Sequence, residues 1–336
     1  MNSTLFVNVT RISVILAFIV VVLGAYVRLS HAGLGCPDWP GCYGKLIVPD
    51  KALHADQLYP ERPLEHGKAW KEMTHRYAAG TLGLLIAGLA IMAWKRRSIS
   101  GQPVIIPLVL ALLVIFQALL GMWTVTLLLK PVIVLAHLLG GMIVLSLLFW
   151  LLLKQFSKGQ VVDINAARLY PWTILGLCVI TIQISLGGWT SANYAALACL
   201  DFPACHGSWW PPMDFVEGFT FWRELGVDYE GGVLAGDART AIHMSHRIGA
   251  LITLLVIGTV AIKAIRNNNK NIALTGLITL IVLLVQISLG ITNVIKLLPL
   301  PVAVAHNGVA ALLLLSLVTL LHYSTSPKTN TGDFVG

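Results

Sequence analysis

Apolar residues fall into eight long runs along this chain, and polar residues are concentrated between them. Each run holds about 20 mostly apolar residues, which is the length that a helix needs to cross the hydrocarbon core of a bilayer. Lipid offers no partners to backbone polar groups, so we expect helices, and the runs are too long for barrel strands. The predicted spans are residues 11–29, 75–94, 104–128, 132–153, 171–192, 243–265, 272–295 and 301–322. The pattern predicts an all-α integral membrane protein with eight transmembrane helices.

Composition agrees with a lipid environment. Hydrophobic residues make up 57% of the chain and charged residues 11%, with a mean hydropathy of +0.80. These values lie far from average usage in soluble proteins. The first run resembles a cleaved signal peptide, but its apolar core is long and no convincing cleavage pattern follows it. We therefore expect a multi-pass protein surrounded by membrane lipid, with the first run as its first span.

Lysine and arginine lie near the short loops that follow every second span. They are Lys95, Arg96 and Arg97 after the second span, Lys154, Lys158 and Arg168 after the fourth, and Lys263, Arg266 and Lys270 after the sixth. Such residues favour the cytoplasmic side. Both termini are therefore expected in the cytoplasm of a bacterial-type cell, and the long loops, about 30–74 and 193–242, outside the cell membrane. Topology and lipid headgroups account for the net charge of +8, so no nucleic-acid partner is predicted.

The sequence repeats itself across its two halves. The segment 36–42 reappears at 199–205, an offset of 163, with cysteines at both ends. Glu-Met-Thr-His-Arg at 72–76 corresponds to His-Met-Ser-His-Arg at 243–247. Three residues recur at an offset of 169, namely Gln117, Gly121 and His137 as Gln286, Gly290 and His306. The repeat predicts two homologous four-helix bundles, formed by residues 1–160 and 161–336.

Each long loop carries one pair of cysteines, Cys36 with Cys42 and Cys199 with Cys205. The outer compartment permits disulfides, and the identical spacing suits a small oxidised turn within each loop. A structural disulfide and a pair of thiols that cycle in a redox reaction both remain open, because reactivity depends on pKa and exposure. Cys178 lies within an apolar span and is predicted to be core.

Four of the ten histidines occupy matching positions at the edges of apolar spans. His75 and His246 begin the second and sixth spans, and His137 and His306 lie about five residues into the fourth and eighth. All four fall near the outer surface at similar depth, as axial ligation of a planar haem between helices requires. The alternatives are hydrogen bonds between helices, and zinc, because His243 precedes His246 by one helical turn. That pair lacks the glutamate of an H-E-x-x-H zinc motif.

One position distinguishes the two halves chemically, because Glu72 stands where the C-terminal half has His243. A carboxylate one turn from an axial ligand could take up a proton, stabilise a developing cation or position water. The alternative is an interfacial residue near a helix start, where negative charge is favourable. Arg76 and Arg247 follow the histidines and could pair with haem propionates or extend to lipid headgroups.

Other polar and aromatic positions favour structural roles. Gln117 and Gln286 lie inside apolar helices, where an amide can bridge neighbouring helices. Trp209, Trp210 and Trp222 are typical of a loop that rests on the outer membrane interface. These five residues are therefore not predicted to belong to a reactive site.

In these features the chain resembles the haem A synthases, a family with bacterial and mitochondrial members. The resemblance spans nearly the full length. It rests on eight spans in two similar halves, the motifs at 72–76 and 243–247, the later histidines His137 and His306, and the paired cysteines. It implies oxidation of the C8 methyl group of haem O to a formyl group, which gives haem A for terminal oxidases. It also implies that a haem O synthase hands over the substrate.

The resemblance implies a cofactor role for the C-terminal half. It places haem b there, with His246 and His306 as axial ligands. Arg247 is the residue that follows the first of these ligands and could pair with a haem b propionate. A disulfide between Cys199 and Cys205 is implied more strongly than one between the N-terminal cysteines.

The resemblance implies a substrate role for the N-terminal half. It places haem O there, with His75 and His137 near the iron of the substrate. Glu72 would be the catalytic carboxylate, the residue that the comparison of the two halves also singles out. Arg76 is the corresponding candidate for a propionate of haem O.

Two other classes of protein fit part of the pattern. A dihaem b-type cytochrome, which passes electrons to or from quinone without altering a haem, needs only four histidines in helices. Glu72 and the unequal halves argue against it. A transporter is favoured by the repeated halves, but transporter sites lie near the bilayer midplane and these histidines lie near the outer surface. The sequence identifies no electron acceptor and leaves a homo-oligomer open.

Overall fold

The computed structural model describes residues 3–50, 56–99, 101–156 and 164–325. Lys158 and the expected boundary between residues 160 and 161 lie outside these ranges. Among the described residues, eight helices are long and apolar enough to cross a membrane, which confirms the predicted number. They are α1 (Ser3–Leu29), α2 (His66–Lys95), α3 (Ile105–Thr126), α4 (Pro131–Phe156), α5 (Tyr170–Ala192), α6 (Gly236–Ile265), α7 (Lys270–Ile295) and α8 (Leu300–Thr325). The fold is all-helical, and the chain is a multi-pass membrane protein.

Two helices begin well before the apolar runs that predict them. α2 starts at His66 and α6 at Gly236, whereas the runs start at 75 and 243. The first turns of both helices contain charged and polar residues, so hydropathy misses the part of each helix that extends beyond the hydrocarbon. His75 therefore lies in the third turn of α2 and not at its start.

Contacts between helices follow two closed circuits of four. In the first circuit α1 packs on α2, α2 on α3, α3 on α4, and α4 returns to α1. The second circuit runs in the same way through α5, α6, α7 and α8. The circuits meet where α8 packs on α1 and α4, and where α4 packs on α5. We call the two circuits the first ring and the second ring.

Aliphatic side chains fill the space within and between the rings. Leu145, Leu148, Leu313 and Leu317 are fully buried in one continuous core. These leucines lie on α4 and α8, the helices that join the rings. The core therefore holds both rings together as one body.

Cys178 does not belong to this core. α5 buries Gly176 and Ile180 on its inner side, and a residue midway between them on a helix faces the opposite way. Cys178 is accordingly exposed on the helix surface. The prediction that Cys178 is core is wrong, because an apolar span buries only one of its faces in protein.

The two cysteine loops are built alike, at the same end of the two rings. The sulfur atoms are 2.03 Å apart in the pair Cys36–Cys42 and 2.00 Å apart in the pair Cys199–Cys205, so both disulfides form within their loops. Asp38 and Asp201 each accept two backbone N–H groups of their own loop. The hydrogen bond from Gly207 is the main reason why the pKa of Asp201 is lowered. We call this end of the molecule the cysteine-loop end.

Candidate functional site

His75 on α2 and His137 on α4 lie between the helices of the first ring. They are close enough for a charge on one to act on the other. Each imidazole faces a glycine of a neighbouring helix. A β-carbon at Gly24 would lie 3.1 Å from Cε1 of His75, and one at Gly121 would lie 3.5 Å from Cε1 of His137. The two glycines therefore leave the space that the imidazoles occupy.

The second ring repeats this arrangement. His246 on α6 and His306 on α8 also lie within electrostatic range of each other. They face Gly187 on α5 and Gly290 on α7, where β-carbons would lie 3.0 Å and 3.1 Å from the respective Cε1 atoms. The structure thus brings the four predicted histidines together as two pairs, one in each ring.

Ring nitrogens in both pairs are free to bind something else. The Nδ1 atoms of His75, His137 and His306 are buried and have no hydrogen-bond partner among the described residues. A buried nitrogen without a partner is costly, and a bound metal ion is one way to satisfy it. Two imidazoles between apolar helices are a donor set that suits the axial positions of haem iron. The residues present therefore fit a haem.

Glutamine amides hold the histidines of the second ring. Nε2 of Gln183 lies 3.1 Å from Nδ1 of His246 and also donates to the backbone oxygen of His246. Nε2 of Gln286 lies 3.2 Å from Nε2 of His306. Gln183 is not among the predicted site residues, although the offset of 163 aligns it with Val20 and so reveals the difference.

The first ring lacks these amide contacts. The side chain of Val20 has no polar group, and Nε2 of Gln117 has no hydrogen-bond partner among the described residues. The amide of Gln117 lies instead against Gly140 on α4, where a β-carbon would overlap it. Among the described residues, the imidazoles of the first ring therefore have no side-chain amide contact like those of the second.

Glu72 lies beneath the first cysteine loop. Its side chain is buried, with 5% of the residue exposed. Oε2 accepts a hydrogen bond from the backbone N–H of Cys36 at 2.9 Å, and Oε1 forms an ion pair with Arg76. Glu72 precedes His75 by about one helical turn, so carboxylate and imidazole project from the same side of α2. The structure thus buries the carboxylate beneath the cysteine loop, on the side of α2 that bears His75, and not at an exposed helix start.

Arg76 ties the first cysteine loop to α2. Its guanidinium donates to the backbone oxygens of Asp38 at 2.9 Å and Gly41 at 2.5 Å, and it pairs with Glu72. Pairing of Arg76 with a propionate stays a prediction.

His243 and Arg247 make the equivalent contacts in the second ring. Nδ1 of His243 accepts the backbone N–H of Cys199 at 3.2 Å. Arg247 donates to the backbone oxygens of Cys199 at 3.0 Å and Ala204 at 2.8 Å. Positions 72 and 243 therefore share one task, which is to accept the first N–H group of a cysteine loop. They differ in charge.

Comparison with known proteins agrees with this duplicated architecture. A family model described as cytochrome oxidase assembly protein matches residues 8–318. The chain belongs to this family. Among its relatives, the protein named Heme A synthase from Shewanella oneidensis is 44% identical over 96% of this chain and 97% of its own length. The Heme A synthase of Bacillus licheniformis is 27% identical over 88% of each chain, and that of Rhizorhabdus wittichii 27% over 94% and 92%.

In this member of the cytochrome oxidase assembly protein family, three matched positions near the histidine pairs differ in chemistry between the halves. A carboxylate is present only in the first ring, and an amide that contacts a histidine from the first helix only in the second. A lysine precedes the last helix only in the first ring. The pairs are Glu72 and His243, Val20 and Gln183, and Lys130 and Pro299. The scaffold is duplicated, but the chemistry is not.

Proposed function

We propose that this protein is a haem A synthase, an enzyme that oxidises the C8 methyl group of haem O to a formyl group. The observation that carries the proposal is a pair of matched histidine sites of which only one has a buried carboxylate about one helical turn before its first histidine. Two similar sites suit two haems, and the unequal site suits chemistry at one of them. Membership of the family, and the name that its relatives bear, support the same reaction.

The N-terminal half, residues 1–160, receives haem O as substrate. His75 and His137 bind or flank the iron of the substrate, which positions the macrocycle between α2 and α4. Glu72 precedes His75 by about one turn and accepts a proton or stabilises positive charge as the methyl group is oxidised. The Cys36 N–H group and Arg76 hold the carboxylate in place, so it needs no rearrangement during the reaction.

The C-terminal half, residues 161–336, would retain haem b as cofactor, and His246 and His306 would hold it. Haem b supplies one-electron transfer when bound. Gln183 and Gln286 contact the two imidazoles through their amides and so help to orient both rings. His243 and Arg247 hold the second cysteine loop over this site.

The cysteine-loop end faces away from the cytoplasm in this proposal. Lys95, Arg96, Lys154 and Lys263 lie at or beyond the opposite ends of α2, α4 and α6. Basic residues at membrane-span ends favour the cytoplasmic side, and disulfides favour the outer side. Haem O reaches the site from the membrane, where a haem O synthase supplies it.

The experiment that tests this function uses membranes from cells that make haem O, with and without this protein. The haems are extracted and identified by mass. We expect haem A, or its hydroxylated precursor, only where the protein is present. Unchanged haem O together with co-purifying haem B under aerobic conditions would overturn the proposal and favour an electron-transfer cytochrome.

A further inference from the structure

A segment of the C-terminal half covers the cysteine-loop end of the first ring. Residues 219–230, which we call the strap, follow a short helix at Phe215–Gly218 and extend to the turn between α3 and α4. The backbone N–H of Tyr229 donates to the backbone oxygen of Leu128 in that turn at 3.1 Å. The Tyr229 side chain is buried against Leu129. The strap therefore belongs to the C-terminal half by sequence but packs on the N-terminal half.

Ion pairs also hold the strap over the first ring. Arg62, in the loop between α1 and α2, pairs with Asp228 and with Glu230, the latter at 2.7 Å. Both acidic side chains come from the strap. The strap is thus fixed to the first half on two sides, at the α3–α4 turn and at the first long loop.

A lysine without an anionic partner lies at the α3–α4 turn beneath the strap. Lys130 is the last residue before α4 and is 2% exposed. Its ammonium group lies 4.7 Å from the centroid of the Trp222 ring of the strap. None of the ion pairs among the described residues includes this group. The ammonium nitrogen is not completely enclosed, so an anion can reach this largely buried charge and stabilise it.

Lys130 lies in line with a site histidine. It precedes His137 by seven residues, and its backbone oxygen accepts the N–H groups of Ile133 and Val134 at the start of α4. Seven residues correspond to almost two helical turns, so Lys130 lies above His137 on the same side of the helix, about 10 Å towards the cysteine-loop end. The start of α4 also favours negative charge.

Arginines near this end of the first ring already have partners. Arg76 binds backbone oxygens of the cysteine loop and Glu72. Arg28 donates to the hydroxyl of Tyr194 at 2.7 Å and to a backbone oxygen of α5. Arg62 is paired with the strap. Lys130 is the buried cation that these contacts leave without an anion among the described residues.

We propose that Lys130 binds a propionate carboxylate of the haem substrate in the first ring, an inference that rests on the proposed function. Propionates are the anionic groups of haem, and their charge keeps them at the aqueous end of a membrane site while the apolar tail lies in lipid. The ammonium group of Lys130 lies near the Trp222 ring, about two turns from the imidazole of His137 towards the cysteine-loop end, where it can pair with a propionate. The second ring has Pro299 at this position and lacks the contact.

The test compares haem O with its dimethyl ester, in which both propionates are uncharged. Each compound is titrated into the purified full-length protein, and binding is followed by the change in haem absorbance. We expect wild type to bind haem O roughly tenfold more tightly than the ester, as loss of a charge-assisted hydrogen bond predicts. Lys130→Met should bind both compounds equally, and Lys130→Arg should keep the preference of wild type.

Two further variants keep the test decisive. Lys130→Gln is a second neutral variant, in case methionine impairs folding, and each variant is checked by thermal unfolding. Lys296→Met removes an exposed lysine from the corresponding α7–α8 turn and should keep the wild-type preference. A neutral Lys130 variant that still binds haem O more tightly than the ester would overturn this inference alone. A wild type that makes haem A but binds haem O and the ester equally would also overturn only this inference. A wild type that neither binds haem O nor makes haem A would overturn the proposed function as well.

Discussion

The carboxylate of Glu72 accepts the backbone N–H of Cys36 at 2.9 Å, so the residue that differs most between the halves is bonded directly to a disulfide loop. His243 accepts the N–H of Cys199 in the same way. Loss of the side chain at position 72 would therefore disturb the loop as well as any chemistry. A useful variant at this position keeps the hydrogen-bond acceptor and removes the carboxylate.

Glu72→His is that variant, because the second ring shows that an imidazole can accept this N–H group. We expect the protein to fold and to keep its b-type spectrum, while haem A formation falls by about 10²- to 10⁴-fold, the usual range for loss of an acid–base group. Haem A per mole of protein, measured by mass analysis, checks the prediction. Normal haem A output from Glu72→His would remove the catalytic role of the carboxylate.

The glycines that face the histidines give a prediction that separates the two rings. Leucine at Gly24 should crowd His75 and stop haem A formation while the b-type spectrum persists, and leucine at Gly187 should crowd His246 and remove that spectrum. Gly80→Leu is the control, because a β-carbon there meets nothing within 4 Å. Haem A formation and the b-type spectrum are measured for each variant. If Gly80→Leu behaves like Gly24→Leu, the effect is a general loss of folding.

Hydropathy and the internal repeat predict much of this molecule. The spans follow from the length of each apolar run, and the pairing of His75 with His137 follows from their similar depth. The early starts of α2 and α6 are not predicted, because their first turns are polar. The contact of Glu72 with Cys36 depends on how a loop folds back on a helix, which no periodicity records.

The position of the strap is a second feature that the sequence does not predict. Residues 219–230 have no regular secondary structure and no counterpart at the offset of 163, so neither signal indicates where they lie. Trp222 is predicted to rest on the membrane interface, and the structure places its ring over Lys130. Gln183 differs from the strap, because the repeat does predict it. The offset of 163 aligns Gln183 with Val20 and shows that only the second half has an amide at this position.

If the second ring holds haem b as proposed, Gln183 should control how firmly that haem is bound. Gln183→Val gives the second ring the residue of the first and leaves Nδ1 of His246 without its amide contact. Loss of such a partner commonly weakens metal affinity by about 10- to 100-fold. Haem retained per mole of purified protein after washing with apomyoglobin measures the effect. Gln117→Val, which removes an amide whose Nε2 has no partner among the described residues, should leave retention unchanged; equal losses in both variants would contradict the role of Gln183.

Tyr43 gives a prediction on pH. Its hydroxyl donates to the backbone oxygens of Arg62 and Pro63 at 3.0 Å and 3.2 Å, inside the first long loop. Burial, together with the negative charge of Asp56, raises the pKa of Tyr43 from 10.0 to about 12. The folded state thus favours the neutral phenol, so its stabilisation is complete below pH 10 and is lost as the pH rises towards about 12.

Thermal unfolding of wild type and Tyr43→Phe checks this over pH 9 to 12. We expect the advantage of wild type over the phenylalanine variant to shrink above pH 10. An advantage that stays constant across this range would show that Tyr43 ionises with its ordinary pKa or does not support the loop.

The division of labour between the rings is the central claim, and parallel measurements on His137→Ala and His306→Ala test it most directly. Haem bound to each purified variant is identified by its spectrum and mass, and haem A is measured in the membranes of origin. The account predicts that His306→Ala loses haem b, whereas His137→Ala keeps haem b and makes no haem A. Loss of haem b from His137→Ala with normal haem A formation in His306→Ala would contradict it.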